Sequence, residues 1–130
     1  MALGKIKADT LEHSTAGSVD TQYVVGGSAK VWANIFQHGA AVRGTLGLSS
    51  VTDQTGGDVS INFANAFDST DNYAVTGTTG SNGTSPDSYV TGPDSNRTYS
   101  TTTVGLNLMN FNGSLNDQNV LWIAVHGDLA

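Results

Sequence analysis

Cysteine is absent from the 130 residues, which excludes a disulfide framework, a zinc ribbon and a thiol nucleophile. Charge is scarce as well. Charged residues make up 12% of the chain, half the usual share of about 25%. Five Lys and Arg stand against eleven Asp and Glu, a net charge of -6. Phosphate contacts need clustered cations, so the balance argues against a nucleic-acid partner. No apolar run approaches the roughly 18 residues of a membrane-spanning helix. The opening Met1-Ala2-Leu3-Gly4-Lys5 lacks the apolar centre of a signal peptide. The expectation is a chain made and kept soluble without export and without a membrane partner. No stretch of about 12 residues carries a helical period.

What is present is β-type patterning. Hydrophobic residues are 38% and glycines number 16, an ordinary globular content for one domain with a real core. Because charge is low, the polar surface must come from Ser, Thr, Asn and Gly. The chain is organised around Tyr23 to Phe63. Val31 to Phe36 alternates with bulky groups on both faces, and Leu46 to Val51 forms a second run. Val59, Ile61 and Phe63 alternate with Ser60 and Asn62, a clean period of two. The link Asp53-Gln54-Thr55-Gly56-Gly57-Asp58 reads as a tight turn, since glycine supplies the positive φ a hairpin needs. The reading is a β-meander.

Further along, Tyr73 to Thr78 predicts a strand with Tyr73 and Val75 on one face. Gly80 to Asn96 is irregular and holds both prolines, Pro86 and Pro93, each followed by Asp. Ser88 to Thr91 is a short strand within it. Thr98 to Leu108 resumes strand character, with Val104, Leu106 and Leu108 on one face, and Asn110 to Gly113 turns the chain. Val120 to His126 is apolar on both faces. It predicts a central strand covered on both sides, or one with core on one side and a subunit interface on the other. Residues 1–25 read as an extended N-terminal arm, with Ala16-Gly17-Ser18 breaking any regular element, and 26–130 as the head domain. The fold class is all-β, an antiparallel β-sandwich or jelly-roll-like domain.

Chemistry is thinly signalled. The histidines His13, His38 and His126 accompany many serines, but no G-x-S-x-G elbow occurs. One histidine per chain near a three-fold axis would suit a metal; a solvated imidazole is the plainer reading. Asp53 to Asp58 and Asp68 to Asn72 are oxygen-rich turns without the spacing of a Ca²⁺ loop. Gly26-Gly27 and Gly56-Gly57 lack the Lys-Ser step or helix of a phosphate cradle. The expectation is therefore no enzyme, no metal and no cofactor. Tyr89, Asp94, Arg97 and Tyr99, in or beside the irregular loop, form the candidate contact site. Aromatic faces among short polar groups suit a sugar ring. The plainer alternative has Tyr99 packed and Arg97 paired with Asp94.

One resemblance runs through these motifs. GSAK-V-W-A-N-I-F, A-V-R, L-G-L-S-S-V-T-D, G-D-V-S-I-N-F, A-F and N-Y-A-V follow one another in order. With the lead-in Ile6 to Ser14 and Asp20 to Val25, they span most of residues 5 to 78 and return weakly at Val125 to Asp128. The pattern resembles the C-terminal head domain of bacteriophage tail fibres common among phages of marine bacteria. QHGA at 37–40 departs from the more glycine- and asparagine-rich turn of that pattern. The resemblance implies a homotrimeric virion protein, assembled in the host cytoplasm. The N-terminal arm would meet other virion proteins, and distal loops would meet the host surface, a glycan included. A capsid-decoration spike and a free carbohydrate-binding, lectin-like module are the alternatives.

Overall fold

Alternation of side chains builds two sheets here, and one glycine separates them. The computed structural model describes residues 7–37, 39–80, 90–93 (backbone alone), 99–110 and 112–130. Ten strands and one short helix follow in order. They are β1 (Thr10–His13), β2 (Gly17–Asp20), α1 (Thr21–Gly27), β3 (Ala29–Phe36), β4 (Ala41–Leu46), β5 (Leu48–Thr55), β6 (Asp58–Phe63), β7 (Tyr73–Gly80), β8 (Val90–Pro93), β9 (Thr103–Met109) and β10 (Val120–Gly127). One four-stranded sheet has the order β4-β3-β10-β7 and the other β5-β6-β9-β8, with β1 and β2 forming a separate hairpin. Every pairing is antiparallel. The expected all-β sandwich is the fold.

The core is the inner phase of β3, β6, β9 and β10. Val31, Ala33 and Ile35 of β3, with Leu121, Ile123 and Val125 of β10, meet Val59, Ile61 and Phe63 of β6 and Val104, Leu106 and Leu108 of β9. Each is buried, and full burial of a side chain of this size contributes about 1.5–3 kcal/mol. The sequence periods for β6, β9 and the inner face of β10 match this core. Pro93 sits where proline is tolerated, at the end of a strand that, among the described residues, lies at the sheet edge with β9 as its partner.

The meander reading needs correction. Ala41 to Leu46 is a strand of its own, paired with β3, and Leu48 to Thr55 belongs to the opposite sheet. The chain changes sheets at Gly47, whose φ is +68°. A Cβ there would lie 2.2 Å from the Lys30 carbonyl oxygen, so only glycine makes this crossing without displacing backbone. The exposed, partly polar β4 offers no alternation that would have announced it. By contrast, the Gly56-Gly57 turn joins β5 to β6 as expected, with φ of +32° and +95°.

The two ends of the sandwich are closed differently. At the Gly57 end, Gln37 and Gln118 are buried. The Gln118 N–H donates to Gln37 Oε1 at 2.6 Å, and the Gly57 N–H donates to Asp117 Oδ1 at 2.6 Å. Gln37 Nε2 reaches the same carboxylate at 3.3 Å. This network ties the end of β3 to the β5–β6 turn of the other sheet. At the Phe63 end an aromatic cluster does the work. Phe63, Phe67 and Tyr73 contact one another with centroids 4.9–5.7 Å apart, and the Tyr73 hydroxyl donates to the Ser100 carbonyl at 3.1 Å. Burial, and secondarily the neighbouring Tyr99, raises the Tyr73 pKa to about 12.

Residues 10–27 contribute no buried residue to this core, and α1 meets β10 where His126 Nδ1 lies 2.9 Å from the Gly27 carbonyl oxygen. The segment read as an extended arm holds the β1–β2 hairpin and α1. Ala16-Gly17 sits at the hairpin turn, with Gly17 at φ +93°. All eight strand residues are exposed, and α1 has no buried residue.

Candidate functional surface

The outward phase of β3 and β10 carries the surface that the core does not use. Trp32, Asn34 and Phe36 alternate with the buried residues of β3, and Trp122 and Ala124 with those of β10. Register then places Trp32 opposite Ala124 and Asn34 opposite Trp122. Both tryptophans, separated by 90 positions in sequence, therefore meet on one face of one sheet. Leu46 lies opposite Trp32 on β4. Trp32 is 43% exposed, Trp122 44% and Leu46 54%.

Two glycines determine how the indoles lie. A Cβ on Gly44 would meet the Trp32 ring at 3.4 Å, and one on Gly80 would meet the Trp122 ring at 3.0 Å. Each ring thus leans from a central strand onto the edge strand beside it, filling the space over a residue without a side chain. This diagonal cover stabilises the edge, because glycine by itself weakens a strand. It also lays the indoles down along the sheet. Arg43 stands over the Phe36 ring at 5.0 Å from the centroid, the one charged group among the outward residues named here. Asn34, between the two indole roots, has its Oδ1 covered and without a hydrogen-bond partner among the described residues. Beside Trp122 a shallow open depression runs along Thr76, Thr78 and Ala124.

The opposite outer face is chemically unlike it. On β5, β6 and β9, Asn62 Nδ2 donates to Ser50 Oγ at 2.9 Å, and Thr103 Oγ1 donates to Asn62 Oδ1 at 2.8 Å. Hydroxyls and amides on this face satisfy one another across three strands. The end pair, Asp58 opposite Asn107, leaves one oxygen on each unpaired.

Of the residues expected to form a contact site, Tyr89, Asp94 and Arg97 lie outside the described residues. Tyr99 is 41% exposed, with its ring 6.3 Å from Tyr73, at the edge of the aromatic cluster. It therefore has both a packed and an open side. Trp122 is not a core residue, contrary to any reading of the last strand as covered on both sides within one chain. His126 is spent on structure, its Nδ1 2.9 Å from the Gly27 carbonyl oxygen. His13 Nδ1 accepts from the Ala16 N–H at 3.1 Å inside the hairpin turn. His38 lies outside the described residues. Asn72 Nδ2 donates to Asp68 Oδ2 at 3.2 Å, and the Asp71 N–H donates to Ser69 Oγ at 3.1 Å, so that acidic turn closes on itself. Among the described residues no three His, Asp or Glu side chains converge as metal ligands.

The paired tryptophans were half-visible in the sequence. Each occupies the outward phase of its strand, but the β3–β10 pairing that unites them is a long-range contact with no local signal. No family model, curated protein or solved structure matches the chain, so function must be argued from these surfaces.

Proposed function

We propose that this chain is a non-enzymatic structural module of the phage tail-fibre type, a homotrimeric virion component that contacts the host cell surface. The observation that carries the reading is the segment 10–27. A two-stranded hairpin is marginal by itself in water, and a seven-residue helix is far below the length at which isolated helices persist. Yet Leu11, Val19, Tyr23, Val24 and Val25 are all exposed along this segment. Apolar groups concentrated on elements with no core of their own call for another surface. Copies of the same chain supply it, joined through residues 10–27, while the sandwich head projects away. The resemblance sets the number of copies at three and the place as the virion, assembled in the host cytoplasm.

The test is the mass of the purified protein by light scattering, together with labelling on purified particles. The expected mass is that of three chains, and Val25→Asp with Tyr23→Asp should release monomers with the far-ultraviolet spectrum of the head intact. Label should fall on the tail. Label over the capsid would favour a decoration spike, and a monomer at micromolar concentration would remove the fibre reading.

A further inference from the structure

We propose that the Trp32–Trp122 face is a stacking platform for a neutral oligosaccharide. The first argument is ring posture. Because Gly44 and Gly80 lack side chains, the outer edge of each indole reaches over the neighbouring edge strand, a posture that spreads the ring across the sheet. Apolar faces of this kind match the C–H face of a pyranose. The second is spacing. Gly44 and Gly80 belong to the two edge strands of the same sheet, three strand separations apart, about 14 Å. The platform therefore fits a short chain of sugars, not one ring.

Polarity points the same way. The rim carries threonine hydroxyls at 76 and 78, and Asn34 sits between the indole roots with an unpaired carbonyl oxygen. A covered acceptor without a partner is unfavourable. Rotation about its broad terminal torsion brings the amide to the surface, where a sugar hydroxyl can pair with it. The net charge of -6 favours a neutral ligand over an acidic one.

Area decides between a sugar and another copy of the chain. At 43% and 44% exposure, each indole offers on the order of 100 Å². Leu46 adds a similar amount, giving roughly 300 Å² of apolar surface, short of the roughly 450 Å² that is the apolar share of the about 800 Å² each partner contributes to a stable protein interface. A stacked oligosaccharide needs no more than this.

The inference stands apart from the virion reading, which the particle label and the mass test on their own. The chain has two tryptophans, and both are on this face, so intrinsic fluorescence reports it alone. The intact protein is titrated with cellohexaose and with mannohexaose, and run through gels containing hydroxyethyl cellulose. A saturable emission shift with either sugar is expected. Trp122→Ala should weaken association at least about tenfold, while Trp122→Phe, which keeps a ring, loses less. Thr78→Glu keeps both indoles but crowds the platform, and should abolish the shift at unchanged melting temperature. No shift and no retardation with any of these probes would overturn the proposal. A change of oligomer mass in Trp122→Ala would also overturn it, because the face would then be covered by another copy.

Discussion

The two outer faces of this sandwich cover the same core with opposite chemistry. On one, Ser50, Asn62 and Thr103 pair across three strands, while Asp58 and Asn107 at its end each keep one oxygen unpaired among the described residues. On the other, Trp32, Trp122 and Leu46 are left about half exposed, with Asn34 Oδ1 unpaired between the indoles. Core stability does not require this asymmetry, since the inner residues are equally buried beneath both sheets. The polar face shows an outer surface built of hydrogen-bonding groups in this chain. The tryptophan face departs from it, and the departure marks the surface available for recognition.

Truncation in the shared core sets the largest effect. Ile61→Ala beneath the polar face and Leu121→Ala beneath the tryptophan face should each cost about 2–5 kcal/mol in urea unfolding. Similar losses would confirm one core serving both sheets, whereas a much smaller loss at one would make the sheets unequal. Gly47→Ala should come next, losing more than about 1 kcal/mol. Its Cβ would collide with the Lys30 carbonyl at the point where the chain changes sheets. An unchanged melting temperature would mean the crossing relaxes freely.

The sharpest contrast lies between the outer faces. Trp122→Ala should lose about 1–2 kcal/mol, less than a core truncation, because nearly half of its surface is already in water. Asn62→Ala, which leaves Ser50 and Thr103 without their shared partner, should lose about 1 kcal/mol and change no ligand response. Equal behaviour of the two variants toward sugar would erase the distinction between faces.

The smallest effect is a pH dependence at the aromatic end. The Tyr73 pKa is raised from 10.0 to about 12 by burial and then by Tyr99. The folded state therefore holds this proton more tightly than the unfolded chain does. Its contribution is complete below pH 10 and is lost as pH rises from 10 towards 12. Tyr73→Phe keeps the ring and should flatten alkaline melting over that window, though it also forfeits the hydrogen bond to Ser100. An identical alkaline slope in wild type and variant would show that Tyr73 ionisation is not coupled to unfolding.

Much of the fold was legible because β6, β9 and the inner face of β10 write their burial as a period of two. Gly56-Gly57 likewise declared its turn. The sheet switch at Gly47 was not legible, since β4 is an exposed edge with little alternation and the demand for glycine comes from Lys30, 17 positions earlier. The burial of Gln37 and Gln118 was not legible either, since it depends on a partner more than 80 positions away, the Gln118 N–H bonding Gln37 Oε1. For the site, the excess apolar character of Trp32 and Trp122 could be read strand by strand. Their meeting could not, because strand pairing is set by the whole core. The loop site was reasoned from composition alone, and three of its four residues fall outside the described structure.

The central claim is that the tryptophan face stays open when copies of the chain assemble. Acrylamide quenching of intrinsic fluorescence in the intact oligomer tests it most directly, since Trp32 and Trp122 are the whole signal. The account predicts red-shifted emission, efficient quenching of both indoles, and protection when cellohexaose or mannohexaose is added. Blue-shifted emission that acrylamide reaches only after the oligomer is dissociated would contradict it.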